Sequence, residues 1–103
     1  INGKLEKHYP EIFDGKRINS VMVQDGVLFI GTARYGLYVI DSRGIKVFNK
    51  KDGLISNQVK RLCPSSTGSK EFWLLTSFGI QKYKLVQRAI IELKKIDIQS
   101  ERS

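Results

Sequence analysis

The chain has 103 residues, 41% of them hydrophobic, with 18 basic and 10 acidic side chains and a formal net charge of +8. That hydrophobic share excludes intrinsic disorder, and the length is that of about one small domain. No run reaches the roughly 18 consecutive apolar residues of a membrane-spanning helix, and a single cysteine, Cys63, excludes an internal disulfide.

Taken in order, residues 4–9 (KLEKHY) read as a strand left over from a preceding unit. Pro10 ends it, because proline cannot donate to a strand ladder. His8 is the only histidine. No Cys, Asp or Ser is patterned around it, so it reads as a half-exposed strand residue and not as a base or metal ligand. Asp14-Gly15 is a turn signal within the connection over 11–18.

Asn19-Ser20 opens the first full unit. Val21 and Val23 alternate with Met22 in its inner strand. Asp25-Gly26 has the chemistry of a two-residue hairpin turn, since glycine tolerates positive φ. Strands are expected over 27–32, 36–40 and 45–48, the last after the turn Asp41-Ser42-Arg43-Gly44. Four strands joined by hairpins make an antiparallel meander.

Lys51-Asp52-Gly53-Leu54 links to a second unit, with strands over 58–63, 71–77 and 79–85 and a fourth within 88–98. Cys63, in an apolar strand pattern before Pro64, reads as a small buried thiol. Ser65-Ser66-Thr67-Gly68-Ser69 is a polar loop. In the tail, Val86, Ile90, Leu93 and Ile96 fit a helical stripe. Ala89, Ile91 and Leu93 equally share one strand face. The β-branched Ile90, Ile91 and Ile96 favour a strand, and so does the need for a fourth strand. Residues 99–103 (QSERS) form a frayed tail.

The two units repeat. VLFIGTARYGLYVID (27–41) and EFWLLTSFGIQKYKL (71–85) each read as strand, tight turn, strand. Each first strand ends in Thr (Thr32, Thr76), and each turn reaches Gly (Gly36, Gly79). Asn19-Ser20-Val21 and Asn57-Gln58-Val59 precede them. The asparagines lie 38 residues apart, the threonines 44 and the glycines 43. The extra six residues are assigned to 64–70, which replaces Gln24-Asp25-Gly26. A period of about 40 residues with several short strands each is that of a propeller blade. The fold class is therefore all-β, as antiparallel four-stranded meander blades of a β-propeller, with about two blades. The division is an end strand and linker over 1–16, blade one over 17–50, blade two over 51–98 and the tail over 99–103.

Physical reasons attach to the repeated residues. Gly36 and Gly79 permit a backbone that other residues would strain. Gly31 leaves room for a close approach by a neighbouring strand or sheet. Asparagine side chains can bond nearby backbone and hold the linker that starts a blade. Trp73 takes the place of Phe29 and reads as packing between sheets.

At these residues the chain resembles the two-component regulator propeller repeat. That repeat runs loosely Gly-Leu-x-x-Asn-x-Val, a turn, an aromatic then an aliphatic residue, Gly-Thr, a turn and Gly-Leu-Tyr. Here the second link reads Asp52-Gly53-Leu54-Ile55-Ser56-Asn57-Gln58-Val59. Blade one reads Phe29-Ile30-Gly31-Thr32 and Gly36-Leu37-Tyr38. Blade two reads Trp73-Leu74-Leu75-Thr76 and Gly79-Ile80. The match spans about residues 17–85. It departs at Leu75, which replaces the Gly before Thr76, and at Asp14-Gly15-Lys16-Arg17, which lacks the Leu of the link.

The resemblance implies a periplasmic sensor domain of a membrane-bound hybrid two-component regulator, passing a signal to a histidine kinase. Its ligand would be an oligosaccharide or related small molecule, its other partners further blades of the same propeller. No cofactor or metal is implied, and the segment itself would not be an enzyme. A protein-interaction scaffold without a small ligand is the alternative. A propeller-based enzyme has less behind it, for want of paired carboxylates, a nucleophile with its base or metal-ligand spacing.

Scaffolds carry function on loops at the ends of their strands. The two Thr-to-Gly turns, Ala33-Arg34-Tyr35 and Ser77-Phe78, are therefore the candidates. Arg34 offers a planar fork for carboxylate or sulfate. Tyr35 offers a ring face for a sugar, and Phe78 is its counterpart. The competing reading is that Tyr35 and Phe78 pack on adjacent blades. The net charge permits acidic partners, yet the basic residues scatter as on a solvated face, with lysines guarding sheet edges. Nucleic-acid binding is not expected, because the charge is dispersed and the aromatics sit in strands. Propellers close with roughly four to eight blades. Two blades alone leave a sheet face exposed on each side, so an isolated segment is expected either to self-associate or to be stable only within its parent.

Overall fold

The computed structural model describes residues 15–97, apart from 67, 69 and 88. The expected strand over 4–9, Pro10, His8 and the tail over 99–103 lie outside the described residues. Eight strands form two four-stranded antiparallel sheets, each in chain order. The first holds β1 (Ile18–Gln24), β2 (Val27–Thr32), β3 (Leu37–Asp41) and β4 (Gly44–Phe48). The second holds β5 (Arg61–Pro64), β6 (Glu71–Leu75), β7 (Gly79–Val86) and β8 (Ala89–Asp97). The fold is all-β, as two meander sheets.

The hairpins follow their turn chemistry. Gln24 pairs with Val27 across Asp25 (φ 53°) and Gly26 (φ 77°), the two positive angles that suit the strand twist. Asp41 pairs with Gly44, and its Oδ1 accepts from the Arg43 N–H at 2.9 Å. The tail is a strand: β8 pairs with β7 along its length. A bulge there leaves Leu93 opposite no partner, because Lys82 pairs with Lys94 and Tyr83 with Glu92.

Strand alternation sends successive residues to opposite faces. In β2, Phe29 enters the core between the sheets, while Ile30 joins Tyr38 and Ile40 in a smaller cluster on the first sheet's other face. The second sheet answers with Phe72, Leu74, Tyr83 and Leu85. The Phe29 and Phe72 rings lie 4.8 Å apart and tilted by 47°, with Tyr83 stacked 5.9 Å beyond Phe72. Gly31 meets its expectation. A Cβ there would fall 2.5 Å from Val59 Cγ1, so the linker approaches β2 too closely for any side chain.

Trp73 lies on the face of the second sheet turned away from this core, since its neighbours Phe72 and Leu74 point into it. There it is half-buried under Lys82, whose Nζ stands 5.3 Å from the ring centroid and 3.4 Å from Glu71 Oε1. Cys63, read as a buried thiol, is only half-buried. Val86, Ile91 and Ile96 are exposed on β7 and β8. A bare sheet face is thus present on the second sheet, as expected. On the first sheet the corresponding Ile30, Tyr38 and Ile40 are buried, against expectation.

The pairing register corrects the Asn-x-Val alignment. Val21 pairs with Ile30 and Leu62 with Leu74, each two residues before the repeated Thr. Leu62, and not Val59, is therefore the counterpart of Val21. That pair is 41 residues apart, so the β5–β6 connection has grown by three residues and not six. Residues 57–59 are not the start of β5, because they bond across to the first sheet, and Lys60 is the first to reach β6, its N–H donating to Leu75 O at 2.8 Å. The Val59 N–H donates to Thr32 O at 2.9 Å, and Asn57 O accepts from the Gly36 N–H at 2.8 Å. The asparagines do hold this linker. Asn19 Nδ2 donates to Val59 O at 3.0 Å, and Asn57 Oδ1 accepts from the Lys50 N–H at 2.8 Å.

Ahead of the linker, Lys50–Asp52 forms a 3-10 turn capped by Asn49. The Asn49 side chain accepts from the Lys51 N–H, and Asp52 Oδ2 accepts from the Asn49 N–H, a reciprocal cap. Gln81, fully buried, ties this turn to the second sheet. Its Oε1 accepts from the Ile55 N–H at 2.9 Å, and its amide nitrogen donates to Gly53 O at 2.9 Å. The same nitrogen reaches Tyr83 Oη and the Glu92 carboxylate. Burial, with the Glu92 charge adding, pushes the Tyr83 phenol well above its ordinary pKa. Gln81→Leu would strand the Ile55 N–H and the Gly53 carbonyl, so a loss of about 2–3 kcal/mol is expected in urea denaturation at neutral pH.

Candidate ligand cleft at the strand ends

Both Thr-to-Gly turns are built on a buried threonine hydroxyl. Thr32 Oγ1 donates to Gly36 O at 2.9 Å and accepts from the Tyr35 N–H at 2.9 Å. Thr76 Oγ1 donates to Gly79 O and accepts from the Phe78 and Gly79 N–H groups, all at 3.1 Å. One hydroxyl thus satisfies both ends of each turn and fixes the residues between. The two glycines serve differently. Gly36 has φ +86° and faces the Phe48 carbonyl. Gly79 has no positive φ; it is needed for room, since a Cβ would run into the Ile96 carbonyl and the Ile55 side chain. The sequence reading of a strained backbone therefore holds at Gly36 and is corrected at Gly79.

The first turn borders a cleft of about 360 Å³ lined by Gly15, Arg17, Ala33, Arg34, Tyr35 and Gln58. Three chain segments meet there. The Ala33 N–H donates to Arg17 O at 2.9 Å, which brings the lead-in to β1 beside the turn. The linker supplies Gln58, whose Oε1 accepts from the Ser77 hydroxyl at 3.2 Å. The cleft wall is thereby tied to the second turn. Lys16 Nζ lies 5.1 Å from the centroid of the Tyr35 ring. Behind the turn, burial, with Tyr35 adding, pushes the Tyr38 phenol above its ordinary pKa.

Of the residues singled out in the sequence, Arg34 and Tyr35 come together in this cleft. Phe78 does not line it, although its neighbour Ser77 bonds Gln58. Tyr35 is 46% exposed and Phe78 41%, so neither is packed away against a neighbouring sheet. Sequence reasoning missed Arg17 and Gln58. Arg17 could have been found by extending the β1–β2 pairing one step past Thr32. Gln58 was masked by its assignment to a strand.

The lining carries charge of one sign. Among the described residues neither Arg17 nor Arg34 has an ion-pair partner. No group of three His, Cys, Asp or Glu among the described residues could hold a metal ion. The arrangement can bind and orient an anion beside an aromatic ring. No protein-family model, curated protein or solved structure matches the chain.

Proposed function

We propose that the chain is a ligand-sensing segment of a β-propeller in a membrane-bound two-component sensor, responding to an oligosaccharide or related small ligand. The cleft at Arg17, Arg34, Tyr35 and Gln58 carries this reading. It pairs polar, charged groups with an aromatic ring, and its volume lies in the range of small-molecule sites. It draws its walls from the first unit and from the linker into the second. A ligand touching both would favour one arrangement of the two units, and that differential affinity is the source of a signal.

In this reading the segment binds and does not catalyse, works without a cofactor and lies in the periplasm. Further blades of the same propeller cover the outer face of the second sheet. Among the described residues no helix is long and apolar enough to cross a membrane; in this reading the anchor and the histidine kinase belong to other parts of the parent protein. The test is the coding sequence on both sides of this segment. Further blades, one transmembrane segment and a kinase domain are expected. A reading frame that closes near Ser103 without a membrane segment would sink the proposal.

One observation favours a second reading, a protein-interaction scaffold without a small ligand. Val86, Ile91 and Ile96 are exposed apolar side chains on β7 and β8, interspersed with Lys82, Lys84 and Lys94. A scaffold would bind none of a panel of oligosaccharides, whereas the sensor would bind at least one.

A further inference from the structure

We infer that the cleft is built for an acidic sugar, a pyranose ring carrying a carboxylate or sulfate ester. This rests on the ligand-sensing reading above and narrows its substrate class. The lining is one-sided in its polarity. Arg17 and Arg34 both line the same 360 Å³ space, and neither has an ion-pair partner among the described residues. Gln58 has its amide oxygen taken by the Ser77 hydroxyl. Its NH₂ group therefore remains as the polar end available to a ligand. No lining residue is Asp or Glu.

The site thus offers donors and positive charge, with no carboxylate in its lining. Sugar hydroxyls are uncharged, so a neutral sugar would bring no negative charge to the two arginines. A carboxylate or sulfate only accepts, and a guanidinium fork matches its geometry with two parallel bonds. Tyr35 supplies the second half of the recognition. Its ring carries the Lys16 ammonium near one face and stays 46% exposed, enough for a sugar ring to lie against it. A bare anion would use the arginines alone, and a neutral sugar the tyrosine alone. Of these three, the acidic sugar is the one that engages both.

The test is calorimetric titration of the 103-residue chain with four probes: a glucuronate-containing disaccharide, its sulfated counterpart, its neutral glucose counterpart and sodium sulfate. At least one acidic disaccharide is expected to bind about tenfold or more tighter than the neutral one and than sulfate, and which of the two wins assigns carboxylate or sulfate ester. Its affinity should fall several-fold between about 50 and about 300 mM salt. Arg34→Ala and Arg17→Ala should each weaken it about tenfold, and Arg34→Lys by less than Arg34→Ala but not to wild-type level. Tyr35→Ala should weaken the acidic disaccharide and leave sulfate unchanged. Equal binding of neutral and acidic disaccharides overturns the acidic class and leaves the oligosaccharide reading standing. Sulfate binding as tightly as the acidic disaccharides overturns the role of the ring. If no saccharide binds, this inference and the ligand-sensing reading at this cleft both fail.

Discussion

Gly31→Leu is expected to destabilise the protein by about 3–4 kcal/mol, at the upper end of what overpacking costs. Even a bare Cβ at this position would sit 2.5 Å from Val59 Cγ1 and 3.1 Å from Val59 Cβ. Leucine adds three carbons to that overlap, with Leu62 Cδ1 only 3.7 Å away on the same side. Relief would require the linker to leave β2, breaking the bond from the Val59 N–H to Thr32 O. The second sheet carries Leu75 at the matching position, and it is half-buried there. The same side chain is thus tolerated in one repeat and excluded from the other by a single neighbour. Urea denaturation of Gly31→Ala, Val59→Ala and the double variant separates this contact from other effects. The double variant should recover stability relative to the sum of the singles, because removing the Val59 methyls makes the room that alanine needs. A wild-type midpoint for Gly31→Leu would contradict the stacking described above.

Phe72→Ala is expected to cost about 3–5 kcal/mol, the range for emptying a large aromatic site in a core. Phe72 is fully buried, with Phe29 from the facing sheet on one side and Tyr83 on the other. Its ring meets that of Phe29 across the two sheets. Its loss should lower the urea midpoint while leaving the slope near the wild-type value, since the same surface is exposed on unfolding. A cost below about 1 kcal/mol would mean that the sheets are not held together at this ring.

Phe29 and Gly31 also mark what the sequence made legible. They stand two apart in a strand, so both face the same way, and a neighbouring sheet was expected on that side. The threonine turns were legible because each Thr precedes a short turn that ends in Gly. The meander was legible because Asp25-Gly26 and Asp41-Ser42-Arg43-Gly44 are local signals. The strand in the tail was legible from β-branching, which outweighed a helical stripe that included the bulged Leu93.

What failed to show depends on contacts distant in sequence. Asn19-Ser20-Val21 looks like Asn57-Gln58-Val59, but only the pairing partners across each hairpin reveal a three-residue slip. Gln81 reads as an ordinary polar strand residue. Its burial follows from the turn at Gly53 and Ile55, nearly thirty residues earlier, folding back over β7. At the cleft, Arg34 and Tyr35 were found because they lie in one turn. Arg17 and Gln58 were not, because Arg17 joins that turn through its bond to Ala33, and Gln58 comes beside it because the neighbouring Asn57 O accepts from the Gly36 N–H.

The most direct test of the account is a nitrogen–proton correlation spectrum of the chain, titrated with the acidic disaccharide that binds best. The account predicts that the largest shifts fall on the amides of Arg17, Arg34, Tyr35 and Gln58, with smaller ones at Ser77 and Phe78 through the Gln58 bond. Shifts centred instead on Trp73, Ile91 and Ile96, or no shifts at saturating ligand, would contradict it.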